Sequence, residues 1–206
     1  TVQADSVIEG AVYSYKLEIQ NGKTEFHGPV FTQLELFVYS DALGDIIFHK
    51  CVGSANSVVS RATKCNLSFY SDINAKKVTL VNAFVAGSIY ADEVTLQNCV
   101  VIGGVFSTQT ADITNSIVGT FNSPSVKVAD QLIMLLPSAF SVEKIITLPG
   151  TKFYNLSLAD LGSLYKGSKQ TPNSGRIEMD INADEIKTVL TNNETQKTLR
   201  SYTVVG

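Results

Sequence analysis

The sequence predicts a mainly β chain wound as a single-stranded parallel β-helix, a solenoid of short coils, over residues 1–150. A capping segment of one short helix and a β-hairpin is expected over 151–206. Three observations carry the prediction. The stretch VTLVNAFVAGSIYADEVTLQNCVVIGGVF, residues 78–106, nearly repeats itself: Val-Thr-Leu-x-Asn occurs twice, sixteen residues apart, and each copy leads into an apolar stretch, a glycine and a further apolar pair. Asn66, Asn82 and Asn98 keep the sixteen-residue interval, and Asn115 follows after seventeen. Between these asparagines the chain alternates short apolar–polar runs with Gly, Ser, Asn or Asp corners. A helix–turn–helix repeat needs about 34 residues and a leucine-rich repeat 20–29, so a sixteen-residue unit is too short for either. Short strands with polar corners are what a parallel β-helix requires, each turn lying ~4.8 Å above the last.

Taken in order, the first copies are GAVYSYKLEI from Gly10 and GPVFTQLELF from Gly28, with GDIIFHKCV from Gly44 as a looser match. The stretch 53–64 fits the pattern poorly and is expected to form a distorted or looped coil. SDINAKKVTL, GSIYADEVTL, GVFSTQTADI and GTFNSPSVKV are the regular copies, and SAFSVEKIITL from Ser138 is the last. Roughly eight coils then fit between residues 7 and 148, a rod ~35–40 Å long. Identical positions should stack into apolar columns: Val78, Val94, Ala111 and Val126; Leu80, Leu96, Ile113 and Val128; Ile89, Val105, Phe121 and Phe140. The asparagines are expected at one corner of successive coils, because Asn tolerates a left-handed backbone and its amide can bond the amide of the coil above. Gly87, Gly103 and Gly119 read as corner residues chosen for unusual φ. Gly103-Gly104 lacks the strand–loop–helix setting of a dinucleotide fingerprint.

After Leu148 the pattern changes. Ser157 is a plausible N-cap, Leu158, Leu161 and Leu164 follow at helical spacing, and Gly167 is a stop, which predicts a helix over 157–166 laid across the open end of the rod. The alternating RIEMDI and two strands joined at Asn192-Asn193 complete the cap.

Bulk composition narrows the function classes. Charged residues make up 17% of the chain, below the ~25% common in soluble domains, and the net charge is −3. Lys and Arg are scattered, the densest spot being Ala-Lys-Lys at 75–77, so no nucleic-acid groove is expected. No apolar run approaches the ~18 residues of a spanning helix. Three cysteines, Cys51, Cys65 and Cys99, without Cys-x-x-Cys spacing, read as buried or free thiols rather than a disulfide framework.

Catalytic signatures are missing. Only His27 and His49 are present, too few for a three-histidine zinc site, and the six-residue period of a hexapeptide acyltransferase is absent. Asp45, Asp72, Asp92, Glu93, Asp112 and Asp130 fall mostly one per coil, as corner chemistry would place them. One cluster merits weighing: a sixteen-residue register extended back through residue 50 would set Cys65 beside His49, with Cys51 near, three ligands suited to zinc or copper. The simpler reading makes these core residues, so no catalytic, cofactor or metal residue is assigned and the protein is expected to be non-enzymatic. Tyr13, Phe31, Tyr90 and Phe106 share one position in the repeat. An exposed aromatic stripe there could stack sugars or touch a protein, although the simplest expectation turns about half of them inward.

At GSIYADEVTLQNCVVIGGVFSTQTADITNSIVGTF the chain resembles the bactofilins, a polymer-forming cytoskeletal family of short-coil β-helices. The shared pattern is small-x-[Val/Ile]-x-[Ala/Ser]-x-x-Val-x-[Leu/Ile] followed by a Val-x-Gly step, good over 66–128 and loose over 7–65. The resemblance implies a right-handed β-helix of triangular section, no cofactor, and end-to-end self-assembly near a membrane. A structural, scaffolding or self-assembly module is therefore expected, on the cytoplasmic side of a membrane before an extracellular one. Segments outside this chain would supply any membrane anchor. The irregular early coils and the capped end depart from the family pattern, so a dimer is expected rather than a long filament. The alternative is a cell-surface carbohydrate-binding or carbohydrate-active β-helix using the aromatic stripe and the corner acids.

Overall fold

The computed structural model describes residues 1–155 apart from 4, 21, 137, 138 and 140, together with 169–170 and 177–178. Residues 1–155 form a parallel β-solenoid of about eight turns. Each turn contributes to three parallel ladders. The first ladder stacks Val12, Val30, Val52, Ile73, Ile89 and Val105 at one inward position. The second stacks Leu17, Leu36, Val58, Val78, Val94 and Ala111. The third stacks Ile8, Phe26, Phe48, Phe69, Val85 and Val101. These columns line one continuous core. Their β-branched and aliphatic side chains suit it because they pack well on a pleated surface. On the third ladder the rings of Phe26, Phe48 and Phe69 lie face over face, with centroids 4.7 and 4.8 Å apart.

The pairings within 78–113 agree with the expected register: Val78 with Val94, Val94 with Ala111, Leu80 with Leu96, Leu96 with Ile113, and Ile89 with Val105. Phe140, the expected end of the third column, lies outside the described residues. The coil length is not constant. Val12 pairs with Val30, eighteen residues on; Val30 with Val52, twenty-two on; and Val52 with Ile73, twenty-one on. From Ile73 the interval settles at sixteen, through Ile89 to Val105. Near the far end it lengthens to nineteen, with Asn122 opposite Ser141. The extra early residues sit at the corner between the second and third ladders. There the chain takes eight residues from Val38 to Ile46 and seven from Ser60 to Leu67, against three from Leu80 to Ala83.

This corrects two expectations. The stretch 53–64 is not a looped coil: Val52–Ser54 and Ser57–Ser60 are strands in register above and below. Gly44–Val52 is not a copy of the Gly28 unit either, since Leu43–Phe48 pairs with the third-ladder strands Thr24–Phe26 and Lys64–Phe69.

The corners obey different rules. Asn82, Asn98 and Asn115 have φ of 51°, 54° and 45°, the left-handed region that Asn tolerates. Asn115 Nδ2 donates to Asn98 Oδ1 at 2.9 Å, and Gln131 Nε2 donates to Asn115 Oδ1 at 2.6 Å, so an amide ladder runs up this corner. Asn66 departs from the expectation. It lies inside the strand Lys64–Phe69, outside the left-handed set, and donates to Asp45 Oδ1 at 2.9 Å, because the longer early corner needs no three-residue turn.

Gly87, Gly103 and Gly119 are also not what the sequence suggests. Positive φ at glycine occurs at Gly22, Gly44 and Gly150. At Gly103 a Cβ would sit 2.5 Å from the Gly87 carbonyl oxygen, and at Gly119 it would overlap that of Gly103. These glycines are required by stacked backbones rather than by backbone angle.

The ladder also runs past the position where the sequence suggests a change of register. Lys152–Asn155 pairs in parallel with 131–134, Leu132 opposite Phe153. A short antiparallel pairing joins Lys169–Gln170 to Ile177–Glu178. The expected helix over 157–166 and the hairpin at Asn192-Asn193 lie outside the described residues. No helix among the described residues is long and apolar enough to cross a membrane.

Candidate functional site

Strand alternation sends Tyr13, Phe31, Tyr90 and Phe106 outward, since their neighbours Val12, Val30, Ile89 and Val105 fill the first inward column. Tyr13 is 77%, Phe31 42% and Tyr90 41% exposed, and Phe106 is half-buried. The expectation that half turn inward is therefore corrected: the parity of the strand fixes all four on one face. Their column reads Tyr13, Phe31, Gly53, Asn74, Tyr90, Phe106 in successive turns. The Tyr90 and Phe106 rings stack with centroids 5.0 Å apart and planes 9° off parallel.

Gly53 and Asn74 interrupt the column. Phe31 and Tyr90 are three turns apart, ~14 Å along the rod by strand spacing, and the Phe31 ring leans over Gly53, where a Cβ would meet it at 3.0 Å. An open groove of about 690 Å³ follows this face, with Phe31, Tyr90 and Phe106 as apolar walls and Asn74, Asp92 and Asn122 among its polar groups. A second hollow continues it towards Tyr13 and shares Phe31, Asn74 and Tyr90. The corner acids beside the groove are held in place: Ser88 N–H donates to Asp72 Oδ1 at 2.8 Å and Thr108 Oγ1 donates to Asp92 Oδ1 at 2.6 Å. Beneath the groove, hydroxyls pair across turns, with Thr32 Oγ1 donating to Ser54 Oγ at 2.9 Å.

The cluster of His49, Cys51 and Cys65 weighed from the sequence does not form. Cys65 pairs with Gly44 at the start of its strand, whereas His49 follows Phe48 at the other end of that ladder. Burial pushes the Cys65 thiol up to about 11 and the Cys99 thiol up to about 12. Cys51 is exposed, and all three cysteines are free. His49 meets different company. Its Nε2 lies 3.6 Å from Glu25 Oε2, and His27 Nε2 lies 3.2 Å from the same oxygen. Among the described residues these three form the one group of at least three His, Cys, Asp or Glu side chains whose donor atoms converge, all within 4.8 Å. The sequence carried half of this signal. Glu25-Phe26-His27 is an i, i+2 pair that a strand must point to one side, but the twenty-two-residue turn hid His49 from a sixteen-residue search.

No protein-family model matches the chain, and neither a curated protein nor a solved structure does.

Proposed function

We propose that the protein is a non-enzymatic interaction rod whose lateral groove holds an extended carbohydrate chain. The observation that carries this is the aromatic column broken by Gly53 and Asn74. Aromatic faces stack on the apolar faces of sugar rings, while carboxylates and amides such as Asp92, Asn74 and Asn122 match sugar hydroxyls. The groove carries little net charge, which suits a neutral glycan better than a nucleic acid or an acidic peptide. A rigid solenoid spaces the two aromatic platforms at a fixed distance, so little ordering of the protein opposes binding. The test is a titration of neutral oligosaccharides of increasing length against the wild type and the variants Phe31→Ala and Tyr90→Ala. Binding that strengthens with length and weakens at least tenfold in each variant is expected. Absence of binding across a glycan array, or variants that bind as tightly as the wild type, would overturn the reading.

A second reading is the scaffold that the resemblance to bactofilins implies. It is favoured by the exposure of Val7, Tyr13 and Tyr15 in the first turn, and by residues 12–14 having a strand neighbour on one side only among the described residues. Such edges associate unless they are covered. Light scattering over a concentration series separates the outcomes: a closed dimer is expected on this reading, and a strict monomer would rule it out.

A further inference from the structure

The structure assigns a zinc-binding site to Glu25, His27 and His49 on the outer side of the third ladder, a site independent of the groove. Phe26 and Phe48 pair across adjacent turns with their rings buried, so the residues that follow them, His27 and His49, are neighbours on the outside. Glu25 lies two residues before His27 on the same side of the strand. The imidazoles meet edge to face with centroids 4.6 Å apart, and Tyr70, one turn further, stacks on His49 at 5.7 Å.

A tetrahedral zinc with bonds near 2.0–2.1 Å sets its ligand atoms roughly 3.3–3.4 Å apart. Glu25 Oε2 lies 3.2 Å from His27 Nε2, a hydrogen-bonded contact that the ion would replace, and 3.6 Å from His49 Nε2, and the three donor atoms all lie within 4.8 Å of one another. His27 Nδ1 lies 3.1 Å from Glu9 Oε2, so His27 stands between two carboxylates. With its Nε2 on the ion, His27 would donate Nδ1–H to Glu9. This is the outer carboxylate that commonly orients a metal-bound histidine. Two imidazoles and one carboxylate, half-buried, leave a position for water. The nitrogen-rich set favours zinc over the oxygen-seeking magnesium and calcium. The ion would clip together two successive turns, where the coil length is greatest and the repeat least regular.

The chain contains only two histidines, which makes the test direct. The ¹⁵N resonances of both imidazoles are followed while the folded protein is titrated with Zn²⁺, and calorimetry gives the stoichiometry. One equivalent should move both Nε2 signals, and Mg²⁺ should move neither. His27→Ala and His49→Ala should each abolish saturable binding, and Glu9→Gln should weaken it roughly ten- to a hundred-fold. Circular dichroism of each variant confirms that it folds, and the unsubstituted protein carries the spectroscopic test whatever the variants do. Co²⁺ should give visible ligand-field bands without thiolate charge transfer, and Cys51→Ser should leave them unchanged. Imidazole signals that Zn²⁺ does not move, binding that survives both histidine substitutions, or a thiolate band would each overturn the assignment.

Discussion

At the scale of single residues, the corner between the second and third ladders shows how much one side chain can decide. Asn115 is buried, holds a left-handed backbone, accepts from Gln131 and donates to Asn98. Alanine there incurs the left-handed penalty and leaves two amide partners unmet, so Asn115→Ala should cost about 2–4 kcal/mol in denaturant unfolding. Asn115→Gly relieves the backbone and loses only the ladder, so it should cost less. A glycine variant no better than alanine would show that φ is not what selects asparagine here. Cys99 makes a second, pH-dependent case. Its thiol is fully buried and its pKa rises from 9.0 to about 12, so the folded chain keeps a proton that the unfolded chain releases. The unfolded state then binds fewer protons between those values, and stability, complete below about pH 9, falls as pH rises towards 12. Cys99→Ala should flatten part of that alkaline decline, and an unchanged slope would assign it to other groups. At pH 8 a thiol reagent should label Cys51 alone in the folded protein. Residue chemistry of this kind was legible in part. The left-handed asparagines follow from what Asn does at turns, whereas the glycine column could not be told from φ-driven glycine without knowing which backbones stack.

At the scale of the element, what could be read depended on the corners rather than the strands. The three apolar columns consist of residues that alternation marks as apolar, so those strand faces were accessible, whereas the inward hydroxyls of Thr32, Ser54, Ser107 and Ser123 were not. Register was accessible only where the corner is three residues long, from Leu80 to Ala83 onward, because a repeat search sees one period at a time. Between Val38 and Ile46 and between Ser60 and Leu67 the strands persist while the period slips, and that slip misplaced both Gly44–Phe48 and the partners of His49. The stacked glycines give this scale its prediction. A Cβ at Gly103 meets the Gly87 carbonyl oxygen at 2.5 Å and its carbonyl carbon at 2.8 Å, both backbone atoms that cannot swing aside. At Gly10 a Cβ would meet nothing within 4 Å. Gly103→Ala should therefore destabilise by about 2–3 kcal/mol or more, and Gly10→Ala should stay within about 0.5 kcal/mol. Equal effects at the two positions would mean that the turns can separate locally without loss.

At the scale of the whole molecule, a rod of about eight turns is held together almost entirely by contacts between adjacent turns. Stability is then close to a sum of nearest-neighbour terms, unlike a globular domain in which one core is shared by all elements. The strand Lys152–Asn155 offers a direct test, because it pairs with 131–134 and sets Phe153 against the core beside Leu132. A chain ending at residue 150 lacks that strand, whereas one ending at 155 keeps it. Removing it frees the ladder hydrogen bonds along 131–134 and uncovers the column at Leu132 and Met134, both buried in the intact rod. The shorter chain should unfold several degrees lower, and its amides at 131–134 should exchange much faster. Amides in Lys77–Val81 and Ile89–Gln97, two or more turns away, should keep their protection, because none of their own neighbours has changed. The comparison between the two truncations isolates the strand from whatever residues 156–206 contribute. If protection falls by the same factor at 78–96 as at 131–134, the solenoid opens as one cooperative unit and the nearest-neighbour account fails. If it falls only at the last turns, the rod frays from its ends. The twenty-two-residue early turns, including the Glu25, His27 and His49 cluster, would then be the places where an added clip has most to stabilise.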